Sequence, residues 1–137
     1  MAKAKEFTVT ILDHPGALGK FCLALGEHGV NILAFQSYVE EGESLARFVV
    51  DNADGALEVM REQRANFEQD YVAVVTLANR PGALGRAALA LGEHKININY
   101  SYYGFDPASQ LQLLVFGVDQ VNKAGEVLDQ FEVHQPR

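Results

Sequence analysis

The chain has 137 residues, of which 48% are hydrophobic and 21% charged, a composition typical of a soluble globular protein. Its net charge of -7 argues against binding to nucleic acid, because a phosphate backbone requires clustered Lys and Arg. The single cysteine, Cys22, excludes an internal disulfide, and no apolar run approaches the roughly 20 residues of a membrane span. We therefore expect a cytoplasmic protein without a disulfide framework, a nucleic-acid partner or a membrane partner.

The first half of the chain has a regular order of predicted elements. Alternating β-rich residues, a turn with Pro and Gly, and an apolar stripe at helical spacing follow one another. Gly29 suits the C-cap of that helix, and Asp54 suits the N-cap of the next one. In chain order we predict a strand over residues 6–12, a helix after Pro15-Gly16, strands over 30–39 and 45–51, and a helix over 54–66.

The same order returns in the second half, because the sequence contains an internal repeat. Residues 13–32 (DHPGALGKFCLALGEHGVNI) and 79–98 (NRPGALGRAALALGEHKINI) are identical at 13 of 20 positions, at a constant offset of 66. Lys95 replaces Gly29, so we expect a different cap there. We predict a third strand of this copy over 111–118 and a second helix over 119–130, with Asp119 at its N-cap.

The repeated order predicts two units of strand, helix, strand, strand, helix and a short final strand. Because a strand–helix–strand crossover is right-handed and leaves room for a third strand, this order predicts a ferredoxin-like fold. The predicted fold class is α+β, with two tandem βαββαβ units, each an antiparallel four-stranded sheet with two helices on one face. The domains are 1–70 and 71–137. Their final strands are predicted at 67–70 and 132–134.

The best-repeated residues resemble the ACT domain. The resemblance is carried by Asp13-His14-Pro15-Gly16-Ala17-Leu18 followed by Gly29-Val30-Asn31-Ile32, and again by Asn79-Arg80-Pro81-Gly82-Ala83-Leu84 followed by Ile96-Asn97-Ile98. ACT domains are regulatory modules that bind amino acids at domain interfaces, usually attached to biosynthetic enzymes. The resemblance therefore implies a stand-alone protein of two ACT domains that binds an amino acid or a similar small molecule.

The resemblance and the chemistry of the loops together suggest which residues contact the ligand. Glycines at helix N-termini permit close approach, and the free N–H groups there favour a carboxylate. The candidate residues are Asp13, His14, Gly16, Ala17, Leu18, Asn31 and Ile32 in the first copy, and Asn79, Arg80, Gly82, Ala83, Leu84, Asn97 and Ile98 in the second. For these side chains to share one site, the loop before the helix and the strand after it must converge.

The resemblance also suggests a difference between the copies. In serine-sensing ACT domains two asparagines hold the effector across a paired-domain interface, and Asn79 and Asn97 match them, whereas the first copy pairs Asp13 with Asn31. Leu77 stands where those domains carry a histidine, which argues against serine as the ligand.

Three structural roles remain open for these residues. Asp13 and Asn79 could cap the helices. Gly16 and Gly82 could serve tight helix packing, and the asparagines at 31 and 97 could satisfy loop backbone groups.

Other constellations favour structural roles. His28 and His94 suit a helix C-terminus, and no partner at metal-binding spacing lies nearby. Cys22 lies on an apolar stripe and is interpreted as a buried small hydrophobe. The aromatic run Tyr100, Tyr102, Tyr103 and Phe105 could stack RNA bases, but no Arg or Lys occurs in 96–122, so we expect it to pack against the other copy or another chain.

The sequence thus predicts a non-catalytic regulatory protein, an allosteric sensor that binds an amino acid through the two strand-to-helix loops. No arrangement of acid, base and nucleophile indicates an enzyme, and no cofactor or metal is expected. Exposed sheet edges favour a homodimer or a higher homo-oligomer, and a biosynthetic enzyme is a further expected partner. The alternative is an interaction module that regulates an enzyme without binding a small molecule.

Overall fold

A computed structural model describes residues 3–134 and contains six strands and four helices over that range. The elements are β1 (Lys3–Ile11), α1 (Ala17–Glu27), β2 (Ile32–Glu40), β3 (Glu43–Val50), α2 (Ala53–Glu62), β4 (Phe67–Leu77), α3 (Ala83–Glu93), β5 (Ile98–Asp106), β6 (Leu111–Val118) and α4 (Val121–His134). The α+β class and the repeated strand–helix–strand–strand–helix order are confirmed. The predicted strands and helices all occur except the last strand.

The chain divides into two compact units. The first unit comprises residues 5–70, and the second comprises residues 71–134 together with Lys3 and Ala4. Strand β4 is continuous, so its first four residues belong to the first unit and the rest to the second.

The sheet of the first unit has the order β1–β3–β2, with antiparallel neighbours. Phe7 pairs with Phe48 in register, and both face the helices with Phe21 and Leu25 of α1. Burial of such large apolar side chains is the main favourable term in folding. The predicted final strand over 67–70 is the leading part of β4, and just before it the Asn66 carbonyl accepts from the Thr10 N–H of β1 at 2.9 Å.

The sheet of the second unit has the order β4–β6–β5 and a core of its own. The predicted final strand over 132–134 is wrong, because these residues continue α4. No glycine, proline or other turn residue separates Gln130 from Glu132, so nothing in the sequence ends the helix there. The first unit therefore has its predicted final strand as the leading part of β4, whereas residues 132–134 of the second unit are helical. Also in the second unit, the Lys3 ammonium of β1 donates a hydrogen bond to the Asn122 side chain of α4 at 3.3 Å.

The helix ends differ from two further predictions. The N-cap of α2 is Asn52, whose side chain accepts from the Gly55 N–H at 3.0 Å, so Asp54 lies inside the helix. α4 begins at Val121, and Asp119 precedes it by two residues, where its carboxylate accepts from the Asn99 side chain at 3.1 Å.

The C-termini of α1 and α3 are closed in the same way, contrary to the expectation from Lys95. Gly29 has φ 70° and Lys95 has φ 61°. In each copy the next N–H, of Val30 or Ile96, donates at 3.0 Å to the carbonyl five residues back. This is the hydrogen bond of a Schellman cap, which normally uses glycine. Lys95 thus adopts a backbone conformation that an L side chain disfavours.

Candidate functional site

The loop between β1 and α1 exposes a helix N-terminus. Gly16 is the N-cap of α1, with φ 89°, and no side-chain hydrogen bond caps the helix. The Ala17 N–H donates to the His14 carbonyl at 3.2 Å, and the Lys20 N–H closes the first helical turn on Gly16 at 3.0 Å. The capping role left open for Asp13 is therefore wrong. The positive end of the helix dipole stays available for an anionic group.

A cavity of 360 Å³ lies beside this loop, wholly within the first unit. Its walls come from the end of β1, the start of α1 and the β2–β3 hairpin. Asp13 accepts a hydrogen bond from Ser44 Oγ at 3.5 Å, which ties the loop to the hairpin. The polar side chains that line the cavity are Asp13, His14, Ser37, Tyr38 and Ser44.

Ser37, Tyr38 and Ser44 are lining residues that the sequence did not single out. The Tyr38 hydroxyl is buried and has no hydrogen-bond partner among residues 3–134. The only signal that could have found these residues is the turn at Gly42, which brings the ends of β2 and β3 beside the end of β1.

Arg47 and Glu6 form an ion pair on the sheet next to the Tyr38 ring. The guanidinium of Arg47 lies 5.4 Å from the Tyr38 ring centroid and donates to Glu6 at 3.3 Å and to Thr8 at 3.4 Å. Glu6 is 1% exposed, so its charge is balanced by Arg47. The ion pair with Glu6 therefore holds the Arg47 guanidinium against the Tyr38 ring.

Asn31 and Ile32 lie at the opposite end of the same sheet. Ile32 pairs with Val50, whereas Val39, seven residues further along β2, pairs with Ser44 beside Asp13. Seven strand residues span roughly 23 Å, so the expected convergence of Asn31 with Asp13 within one unit is wrong. The physical reason is that α1 carries the chain back along the sheet.

The backbone of Asn31 is hydrogen-bonded to Asp51 at its own end of the sheet. Its N–H donates to the Asp51 carboxylate at 2.8 Å, and the Asp51 N–H donates to the Asn31 carbonyl at 3.1 Å. Both bonds use the backbone of Asn31, so the predicted role of its side chain in satisfying loop backbone groups stays a prediction.

The corresponding loop of the second unit has a different surface. Gly82 is the N-cap of α3 with φ 85°, again without a side-chain cap, so capping by Asn79 is also wrong. Arg86, which replaces Lys20, donates to the Pro81 carbonyl at 3.4 Å, and a Cβ atom on Gly82 would lie 2.6 Å from its Nη1. A guanidinium thus lies over this helix start. The two loops are therefore not equivalent as binding sites.

The remaining predicted residues of the second copy divide between core and surface. Ala83 is 6% exposed and belongs to the core, whereas Leu84 is 45% exposed and Arg80 is also exposed. Asn97 and Ile98 precede and begin β5, where Ile98 pairs with Val118, whereas Leu77, just before Asn79, pairs with Gln112 at the other end. The expected convergence of Asn79 with Asn97 within the unit is wrong as well.

The two histidines lie at helix ends as expected, whereas Cys22, predicted to be buried, is half-buried. The rings of His28 and His94 lie 3.1 and 2.9 Å from the carbonyls of Ala24 and Ala90, one turn earlier. This hydrogen bond, followed by the nearby Glu62 carboxylate at 3.2 Å, raises the pKa of His28. Burial raises the pKa of the Cys22 thiol, so the thiolate form is disfavoured.

Residues 3–134 contain neither a cluster of metal ligands nor a helix that could span a membrane. Over this range no three His, Cys, Asp or Glu side chains group as metal ligands. None of the helices in the same range is long and apolar enough to span a membrane.

One known family model matches part of the sequence. The family model of the ACT domain matches residues 6–68, which lie within the first unit. A search of curated proteins returned no significant match.

Comparison with solved structures shows a shared fold at low sequence identity. Protein BT0572 from Bacteroides thetaiotaomicron superposes with a TM-score of 0.81 at 20% identity, over 96% of this chain and 90% of that one. The ligand-free regulatory subunit of aspartate kinase from Thermus thermophilus gives 0.63 at 19%, over 94% and 91%. The corresponding subunit from Thermus flavus gives 0.61 at 17%, over 95% and 92%.

Proposed function

We propose that this chain is a non-catalytic regulatory protein that binds a free amino acid in the 360 Å³ cavity of its first unit. The observation that carries the proposal is the meeting of the Asp13 carboxylate and the uncapped start of α1 at one cavity. Its volume lies at the lower end of the range of small-molecule sites, which suits a ligand of amino-acid size.

The two ends of an amino acid match the two charged features of the cavity. The Asp13 carboxylate attracts an ammonium group, and the N-terminus of α1 behind Gly16 attracts a carboxylate. Both interactions gain strength in a partly enclosed site. The hydroxyls of Ser37 and Ser44 would hydrogen-bond a polar side chain of the ligand.

A regulatory role follows if the ligand favours one arrangement of the protein over another. Asp13 and Ser44 join two separate segments of the first unit, so a ligand between them would hold the loop and the hairpin together. Two proteins with a similar fold are regulatory subunits of aspartate kinase. We propose an amino-acid biosynthetic enzyme as the regulated partner and the second unit as a further ACT domain.

The distance between Asn31 and the β1–α1 loop of its own unit is the reason to propose a homodimer. Since Asn31 lies at the far end of its own sheet, it can contact a ligand beside Asp13 only when that Asp13 belongs to another unit. We propose that a second copy of the chain supplies it. Light scattering at micromolar concentration should give twice 15.0 kDa. A monomer mass would refute the dimer but would not contradict amino-acid binding in the first-unit cavity.

A thermal-shift screen of the common amino acids at millimolar concentration tests ligand binding. A ligand at 100 times its dissociation constant adds about 2.7 kcal/mol to the free energy of unfolding. Asp13→Asn keeps the shape of the side chain and removes its charge, so it should weaken binding at least tenfold. Asp54→Asn, on the surface of α2, is the matched control and should leave binding unchanged. No shift with any amino acid, or equal loss in both variants, would contradict the proposal.

The interaction-module alternative is favoured by one observation. Leu23 of α1 and Leu89 of α3 occupy the same repeat position and are 69% and 65% exposed. Paired exposed leucines on equivalent helices are suited to contact another protein. The double variant Leu23→Glu, Leu89→Glu should abolish capture of a partner from lysate under this alternative, while Asp13→Asn leaves capture intact and no amino acid binds.

A further inference from the structure

We propose a second small-molecule site in the first unit that takes an organic anion with an apolar body, either a carboxylate or a phosphate monoester. The site is a cavity of 580 Å³ on the side of the β1–α1 loop away from the β2–β3 hairpin. It is formed by β1, the first turns of α1 and the segment that joins α2 to β4. The proposal is independent of amino-acid binding beside Asp13.

Charge distribution is the first argument for an anion. The lining includes Lys20, Arg64 and His14 but no Asp or Glu, although the chain as a whole carries a net charge of -7. Lys20 and Arg64 are exposed, and neither forms an ion pair with another residue of the range 3–134. Two unpaired cations at the edge of one cavity attract an anion, and Arg pairs well with carboxylate or phosphate oxygens.

Backbone conformation at Arg64 is the second argument. Arg64 follows the α2 C-cap Gln63 and has φ 52°, a backbone conformation that glycine adopts readily and L side chains disfavour. The Ala65 N–H donates to the Met60 carbonyl at 2.9 Å and holds the turn. The helix dipole also favours a cation at this end. The turn places the Arg64 side chain at the edge of the cavity, whereas a glycine at this position would supply no charge.

The apolar residues that line the cavity indicate that the ligand has an apolar body. Leu12 is 73% exposed, and the half-buried Ile11 and Ala65 pack against the core of the unit. An apolar group lying on these side chains would leave water, which favours binding. An inorganic anion would use only the rim, so the structure fits an amphiphilic anion better.

Titration of the full-length protein with hexanoate and with hexyl phosphate, followed by amide NMR shifts, tests the site. We expect saturable shifts at Ala17, Ala65 and Asn66 with one or both probes, and the tighter of the two identifies the headgroup. Hexan-1-ol should give at least fivefold weaker binding, because it has the same apolar body and no charge.

Matched variants separate this site from general charge effects. Arg64→Gln and Lys20→Gln should each weaken binding about fivefold, whereas Lys123→Gln, an exposed residue of the second unit, should not. Amino-acid binding beside Asp13 should persist in all three. The proposal is overturned by the absence of shifts up to 20 mM probe, by equal binding of hexan-1-ol, by equal loss in Lys123→Gln, or by shifts at Ser37 and Ser44 instead.

Discussion

Replacing Lys95 by glycine should stabilise the protein, although it removes a side chain. Lys95 has φ 61°, where an L residue is disfavoured by about 1–2 kcal/mol, while glycine adds about 0.5–1 kcal/mol of unfolded-state entropy. The difference predicts a gain of about 0.5–1 kcal/mol for Lys95→Gly. At about 2–6 °C per kcal/mol for a chain of this size, Tm should rise by about 1–6 °C.

The first copy supplies the reciprocal experiment. Gly29 occupies the equivalent position with φ 70°, and a Cβ atom built there meets no atom within 4 Å. Gly29→Ala therefore introduces backbone strain without a steric clash and should lose about 0.5–1 kcal/mol. The pair of variants isolates backbone conformation from packing, because both sites carry the same cap hydrogen bonds.

Urea unfolding of the wild type and both variants, with a common m-value, measures these free energies. The expected order of stability is Lys95→Gly, wild type, then Gly29→Ala. A loss of stability in Lys95→Gly would refute the reasoning, since it would mean that the lysine side chain contributes more than its backbone conformation costs.

Three other changes test the packing and electrostatics of the two units. A Cβ atom on Gly117 would lie 2.2 Å from the Tyr100 ring, so Gly117→Ala should cost about 1–3 kcal/mol in urea unfolding, and an unchanged midpoint would contradict the packing described. The raised pKa of His28 means that its contribution to stability is present below the ordinary histidine pKa and is lost as the pH rises through the folded value. Glu62→Gln should therefore lower the pKa of His28 in an NMR titration and destabilise the protein more at pH 5.5 than at pH 8.5; an equal effect at both would rule out this linkage. Asn52→Ala removes the α2 cap and should cost about 1 kcal/mol by thermal unfolding, whereas a cost near zero would mean that the hydrogen bond to Gly55 is dispensable.

The repeat allowed most elements to be predicted from the sequence, because hydrophobic period and offset agree in both copies. The end of α4 was not predictable in this way, since the repeat suggested a strand where local residues continue a helix. Lys95 misled for a related reason. Propensity disfavours lysine at φ 61°, but the hydrogen bond from Ile96 to Leu91 and the packing of Ile96 impose that conformation.

The candidate site was predicted in part. The loop from Asp13 to Gly16, predicted to bind the ligand, lies beside a cavity, whereas Asn31 lies at the other end of the sheet. Sequence spacing does not encode which end of a sheet a residue reaches unless the direction of each strand is followed through the helix. Tyr38 and Ser44 come from a hairpin with no motif of its own, so only the three-dimensional register brings them to Asp13.

The central claim is that an amino acid binds beside Asp13 in the first unit. Its most direct test is an amide NMR titration of the full-length protein with the amino acid that gives the largest thermal shift. The account predicts saturable shifts at Asp13, Gly16, Ser37 and Ser44 that disappear in Asp13→Asn and persist in Asp54→Asn. Saturable shifts confined to other residues, or none with any amino acid, would contradict it.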